Sequence, residues 1–291
     1  MKILLLGPNG QLGTDIRAAN AALATPAEII PLGREVVDLS NIDAASAAIA
    51  AHDFDVLVNA SSYHKTDEVE GNAQLAFTIN AHLVRRLAEI AGDKKARLVH
   101  VSTDYVFGGQ ASRSPLTEAE GKAPLNIYGA SKGMGEDLAL TSGADVLVLR
   151  VASLFGVAGA SGKGGNFVET MIRFGRDRKR LTVVADQVMS PTSTADIAST
   201  LFSLLSKDVD SGVWHVVNGG QASWYEFAKR IIDRAGVDAE VLPIPSSDYP
   251  TPARRPTYSV LDTAKLAAAV GAMRPWEEAL DAYLVAKGYR D

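Results

Sequence analysis

A chain of 291 residues with a net charge of −5 has enough material for a large core and no basic field that could hold a nucleic-acid backbone, so nucleic acid is not an expected partner. It contains no cysteine, which excludes disulfides and thiolate metal sites, and its five histidines lack ligand-like spacing, so no metal is expected. The opening MKILLLG has no signal-peptide cleavage region and no long apolar run follows, which points to a soluble, cytoplasmic protein with no membrane partner.

In chain order, short apolar runs alternate with segments of helical periodicity, the pattern of strand-helix-strand units. The predicted strands are KILLL, EIIPL, DVLVNA, RLVHVS and DVLVLRV, with helices near 11–24, 43–51, 73–92 and 130–141. Nearly unbroken Val, Leu and Ile in those strands predicts a sheet covered on both faces. The fold class is therefore α/β: a doubly wound parallel Rossmann sheet over residues 1–155, followed by a smaller mixed α/β lobe over 156–291 whose elements are free to interleave with it. That second part opens on the Gly-rich GVAGASGKGGNF and continues with a helix near 165–178, RLTVVAD, a helix near 194–205, GVWHVV and further helix.

The first motif is LLLGPNGQLGTDI, where Gly7, Gly10 and Gly13 close the opening strand and begin a helix. Glycines there let backbone N–H groups approach a pyrophosphate, which the positive helix end favours. After the second strand come Gly33 and Arg34; an arginine at this place accommodates a 2′-phosphate and favours NADPH, while Asp38, in contact with the adenosine, keeps NADH as the alternative. Asn59, Ala60, Ser61 and Ser62 follow the third strand on the carboxyl edge of the sheet, with His64 and Lys65 close behind as surface groups or phosphate contacts.

The fourth strand delivers VHVSTDYVFGG, and the next helical segment carries Tyr128 and Lys132, four apart and so on one face. A lysine ammonium beside a phenol favours the phenolate and lowers a value that is ordinarily near 10. The Thr103 hydroxyl is placed to hold a carbonyl oxygen in line with Tyr128, and Lys132 to grip the nicotinamide ribose.

The set GPNGQLG, STDYVFGG, YGASKGMGE, DQVMSPTSTADIA and YPTPARRPTYSVLDTAKL resembles the extended short-chain dehydrogenase/reductases, and within them the dTDP-4-dehydrorhamnose reductase family, over nearly the whole chain. That resemblance implies NAD(P)H-dependent reduction of a sugar-nucleotide substrate, a dTDP-linked 4-keto-6-deoxyhexose, with Thr103, Tyr128 and Lys132 as the catalytic set. The expected cofactor contacts widen to Asn9, Gln11, Leu12, Leu39, Tyr63 and Ser102. Those to substrate are Thr103, Asp104, Val106, Leu154, Asn166, Phe167, Gln187 and Arg255, in a monomer or homodimer. Two other readings stand beside it. A sugar-nucleotide epimerase or dehydratase shares the fold, but a dehydratase calls for Asp-Glu after the threonine and Thr103 is followed by Asp104 and Tyr105. A non-catalytic, cofactor-binding regulatory subunit is argued against by the intact Thr/Tyr/Lys set.

The chain departs from the family pattern in several places. Leu154 stands where a tryptophan usually stacks on the sugar, and an aliphatic side chain cannot supply that area. NASSYHKTDEVE replaces NAAAYTAVDKAE. The Gly-rich connection is longer and reads as a mobile flap or a flexible linker; Val157 and Gly164 break the spacing of a nucleotide-triphosphate loop. Asp15 matches one acidic position of Mg-bridged dimers. Trp214, Trp224 and Trp276 are expected in cores, and Asp186, Gln187, Pro191 and Thr192 either line a cleft or form the turn before a helix cap at Thr194.

Overall fold

The computed structural model describes residues 1–111, 113–159 and 165–290. The first half runs β1 (Lys2–Leu6), α1 (Gln11–Ala21), β2 (Glu28–Leu32), α2 (Ile42–Ala50), β3 (Val56–Asn59), α3 (Thr66–Glu70), α4 (Ala73–Phe77), α5 (Leu83–Asp93), β4 (Arg97–Thr103), α6 (Ile127–Leu140) and β5 (Val146–Val151). The second runs β6 (Leu154–Phe155), α7 (Phe167–Arg178), β7 (Arg180–Val184), β8 (Val188–Met189), β9 (Thr192–Ser193), α8 (Thr194–Ser206), β10 (Gly212–His215), β11 (Ala222–Ser223), α9 (Trp224–Arg234), β12 (Glu240–Ile244), α10 (Ala264–Val270) and α11 (Trp276–Ala286).

Six strands form one parallel sheet in the order β10-β5-β4-β3-β1-β2. Alternate residues of β1 serve opposite faces, as the period of a strand requires. Leu4 and Leu6 enter a core under α2 and α5 with Leu57, Leu87 and Leu98, whereas Ile3 and Leu5 enter one under α1 and α8 with Ile16, Leu149 and Leu201. Each such side chain, when fully buried, contributes about 1.5–3 kcal/mol.

GVWHVV, read in sequence with the second lobe, forms β10 and completes the main sheet beside β5, with Trp214 buried. Its crossover helix α8 packs on α1, so the large sheet draws elements from both halves of the chain. The helix expected over 73–92 is interrupted by a π turn at Thr78–His82. Asn80 is buried there, and its amide accepts from Tyr63 N at 2.9 Å and donates to Tyr63 O at 3.0 Å and to Ser131 Oγ at 3.1 Å. A π turn is a local insertion of this kind and often marks a functional region. The helix expected from 130 begins at Ile127, because Asn126 caps it by accepting from Gly129 N.

The smaller lobe packs α7, α9 and α11 around a third core, with β7 and β12 paired in parallel and Trp276 buried. Ser223 and Glu226 form a capping box at the start of α9. Two short pairs, β6 with β9 and β8 with β11, join the parts. The expected flap includes residues 160–164, which lie outside the described residues. Among the described residues, no helix is long and apolar enough to cross a membrane.

Candidate active site

With β1 between β2 and β3, the strand order reverses at β1 and β3, and open sheets of this kind bind ligands at the carboxyl ends beside such a reversal. Gly13 packs so tightly that an added Cβ would lie 2.1 Å from the Gly7 carbonyl oxygen. Gly10 is the N-cap of α1, with no side-chain cap and no acidic residue in the first turn, which leaves the orphan N–H groups of the helix end unclaimed by side chains. Gln11 Oε1 is buried there without a hydrogen-bond partner. A glycine cradle, an uncapped helix end and an orphaned acceptor fit a bound dinucleotide. Asn9 is exposed in the same turn, whereas Leu12 packs in the core.

Beyond β2, Arg34 is exposed, and the Asp38 carboxylate is taken up by Ser40, which donates from N at 2.9 Å and from Oγ at 2.7 Å and lowers its pKa. Leu39 is half-buried. Beyond β3, Asn59 Oδ1 accepts from Ser61 N at 3.2 Å and Ser61 Oγ at 2.6 Å. Ala60 lies under Gly7, and Ser62 and Tyr63 are half-buried. His64 Nδ1 lies 3.3 Å from the Ser62 carbonyl, and Lys65 is paired with Glu68 at 2.9 Å.

Thr103 closes β4. Its Oγ1 accepts from Tyr105 N at 3.1 Å and donates to Asp104 Oδ1 at 3.1 Å, while Asp104 Oδ2 accepts from Ser259 Oγ at 2.6 Å. Burial pushes the Asp104 carboxyl up to about 6. Tyr128 sits in the first turn of α6, which is pinned by the Asn126 cap and by Ile127 N donating to Glu70 at 2.8 Å. Gly129 allows this turn to touch the strand: a Cβ there would lie 2.1 Å from the Tyr105 carbonyl oxygen. Burial raises the Tyr128 phenol well above its ordinary value, and the nearby Thr103 hydroxyl acts in the opposite direction with the smaller effect.

This corrects the expectation that Lys132 pulls the phenol down. Lys132 is buried, and its Nζ turns to the sheet, 2.6 Å from the Val101 carbonyl and 3.1 Å from His100 Nε2. Burial brings the lysine itself down to about 7. One turn further, the buried Glu136 accepts from Ser102 Oγ at 2.5 Å and from Arg150 at 3.0 and 2.7 Å.

Arg255 joins this group from the smaller lobe. It pairs with Asp67 at 2.7 Å and reaches Tyr105 Oη at 3.4 Å, and the Tyr105 ring lies edge-on to that of Tyr128, 6.0 Å away. Other expected substrate contacts are placed differently. Val106 is wholly buried in a cluster with Phe107, Leu116 and Leu261, so its side chain packs and does not face a ligand. Asn166 caps α7, with Nδ2 spent on Gly156 O at 3.0 Å and Tyr283 Oη at 3.2 Å. The Phe167 ring packs on Trp224 and Phe227. Leu154 and Gln187 are half-buried, and Asp186, beside Gln187, accepts from Ser246.

Asp15 accepts from the Thr194 hydroxyl between α1 and α8. Among the described residues, no group of three or more His, Asp or Glu could hold a metal ion. Sequence reasoning missed His100, Glu136, Asn80 and Asp67. The signal for His100 was a histidine inside an otherwise apolar buried strand; for Glu136 it was a third polar residue at the Tyr128 and Lys132 spacing.

Comparison with known proteins gives a consistent result. The model of the RmlD substrate binding domain family matches residues 1–288. The chain is 36% identical to a dTDP-4-dehydrorhamnose reductase of Burkholderia thailandensis, over 96% of this chain and 97% of that protein. It is 32% identical to the spore coat polysaccharide biosynthesis protein SpsK of Bacillus subtilis, over 97% and 96%. The crystal structure of dTDP-4-dehydrorhamnose reductase from Bacillus anthracis in complex with NADP superposes with a TM-score of 0.90 at 33% identity, covering 98% of this chain and 99% of that one.

Proposed function

The chain belongs to the RmlD substrate binding domain family and is an NAD(P)-dependent oxidoreductase of that family; from that membership we propose that it reduces dTDP-4-dehydro-L-rhamnose to dTDP-L-rhamnose with NADPH. The observation that supports this reaction best is the placing of the half-buried Tyr128, in the first turn of α6, beside Thr103 at the carboxyl end of β4, with desolvation keeping the phenol protonated.

When bound, the nicotinamide supplies a hydride to the sugar C4 carbon. The backbone of Gly7, Gly10 and Gly13 and the backbone N–H of Gln11 at the start of α1 would hold the pyrophosphate, and Arg34 would meet the 2′-phosphate that distinguishes NADPH. Tyr128 gives its phenolic proton to the carbonyl oxygen, and a positioned acid of this kind contributes about 10²–10⁴ in rate. Thr103 orients the phenol and the carbonyl oxygen together. Lys132 lies one turn on, on the same helix face, and would bind ribose by turning Nζ away from the Val101 carbonyl. Arg255, steadied by Asp67 and Tyr105, offers a cation to the sugar nucleotide.

Leu154 favours a second reading of the substrate alone. A half-buried leucine on β6 leaves room for a related 4-keto sugar nucleotide of different shape. Following NADPH oxidation with dTDP-4-dehydro-L-rhamnose, for the wild type and Tyr128→Phe, tests both. Turnover that collapses in the variant supports the assigned reaction. Tight NADPH binding without turnover would sink the assigned sugar.

A further inference from the structure

We propose that His100 is a positioning residue of the reaction: its Nε2–H donates to Lys132 Nζ and thereby holds that lysine as a neutral amine in the free protein. The inference starts from a group that cannot change its role. The Ser61 backbone N–H can only donate, and it faces Asn59 at 3.2 Å. The oxygen of Asn59 must therefore lie on that side, where the Ser61 hydroxyl also reaches it at 2.6 Å.

The Asn59 amide nitrogen then faces His100 Nδ1 at 3.2 Å. A primary amide nitrogen is a donor, so Nδ1 has to accept and carries no proton. His100 is wholly buried, and burial lowers its pKa well below the ordinary value, so with Nδ1 bare the ring is neutral. A neutral imidazole has one proton, and with Nδ1 bare that proton is on Nε2. Nε2 lies 3.1 Å from Lys132 Nζ. An ammonium has three donors and no acceptor, and it would meet Nε2–H donor against donor. An amine accepts that hydrogen with its lone pair and still donates to the Val101 carbonyl at 2.6 Å.

The charges around Lys132 favour the same state. Burial lowers the lysine to about 7, with Glu136 acting in the opposite direction. That carboxylate is already engaged by Arg150 from β5 in two hydrogen bonds, by Ser102 from β4, and by Lys122 at 3.5 Å. Tyr128, on the same face of α6, keeps its own proton. Among the described residues, the remaining titratable group in this chain of contacts is His100 itself. Protonation of Lys132 would turn the His100 contact repulsive while Nζ remains a donor to the Val101 carbonyl, so the His100 contact and the lysine proton are coupled.

The inference rests on Tyr128 and Lys132 being the reacting pair, but its test reads the free protein and can fail while turnover stands. Full-length protein labelled with 15N-histidine, with His100 assigned through His100→Phe, should show the neutral Nε2–H tautomer throughout pH 5.5 to 9. With labelled lysine, assigned through Lys132→Met, Lys132 should titrate near neutrality. In His100→Phe that transition should rise by about one pH unit, the worth of one hydrogen bond. Asn59→Asp keeps the acceptors for Ser61 but turns the group facing Nδ1 into an acceptor. It should switch His100 to the Nδ1–H tautomer and raise the lysine transition, which gives a second reading if His100→Phe does not fold. A wild-type Nδ1–H tautomer, or a Lys132 that stays an ammonium to pH 9, overturns the proposal.

Discussion

Arg150 holds Glu136 through two hydrogen bonds, at 3.0 and 2.7 Å, and both side chains are sealed between α6 and β5. Removing one partner of a buried pair strands the other, at a cost of about 3–5 kcal/mol. Arg150→Met is therefore expected to lower unfolding free energy in urea by about that amount. Glu136→Gln with Arg150→Met should lose less, because no buried carboxylate is left unpaired. Equal losses in the single and double variants would refute this account.

Asp104 gives a pH dependence of stability. Its folded-state value, about 6, stands above the ordinary 3.8, so the folded chain holds this proton more tightly than the unfolded one. The stability it contributes is whole below pH 3.8 and is lost as pH rises through about 6. Asp104→Asn can still accept from Thr103 and can donate to Ser259. Measured against that variant, the wild type should lose about 2 kcal/mol between pH 4 and 7. Parallel stability curves for the two proteins would show the carboxyl to be unperturbed.

Gly129→Ala places a methyl group against the Tyr105 carbonyl, 2.1 Å from its oxygen, and something must move. Overpacking of this kind costs about 1–3 kcal/mol. The first turn of α6 carries Tyr128, so kcat should fall further than the stability loss explains. A variant with a lowered Tm and unchanged kcat would mean the turn relaxes without disturbing the phenol.

Arg34 is exposed at the end of β2, while Asp38 is occupied by Ser40. If Arg34 meets the 2′-phosphate, Arg34→Ser should raise KM for NADPH by about 10- to 100-fold, the worth of a charged hydrogen bond, and leave KM for NADH nearly unchanged. Equal effects on both cofactors would remove Arg34 from that role.

The parallel sheet was legible because β3 and β5 are buried along their whole length and read as nearly unbroken apolar runs, interrupted only by Asn59 and Arg150. The glycine turn and the Thr103, Tyr128 and Lys132 spacing were legible because local geometry demands those residue types. What could not be read is where a long side chain turns. Lys132 shares a helix face with Tyr128, but the direction of Nζ is decided by His100 and the Val101 carbonyl, partners from another strand. Asn166 and Val106 fall in the segments the resemblance pointed to, yet their burial is set by α11 and by the cluster around Phe107. The place of β10 was hidden for a related reason: adjacency in the sheet does not follow adjacency in the chain.

That displaced strand bears on how the protein is made. Until residues 212–215 have emerged from the ribosome, the nascent sheet ends at β5 with an open row of backbone donors and acceptors. An apolar strand in that condition invites pairing with another chain. A truncation after β5 should accordingly aggregate on synthesis, and a chaperone that shields this edge would act during the interval in which α8 and β10 are still being translated.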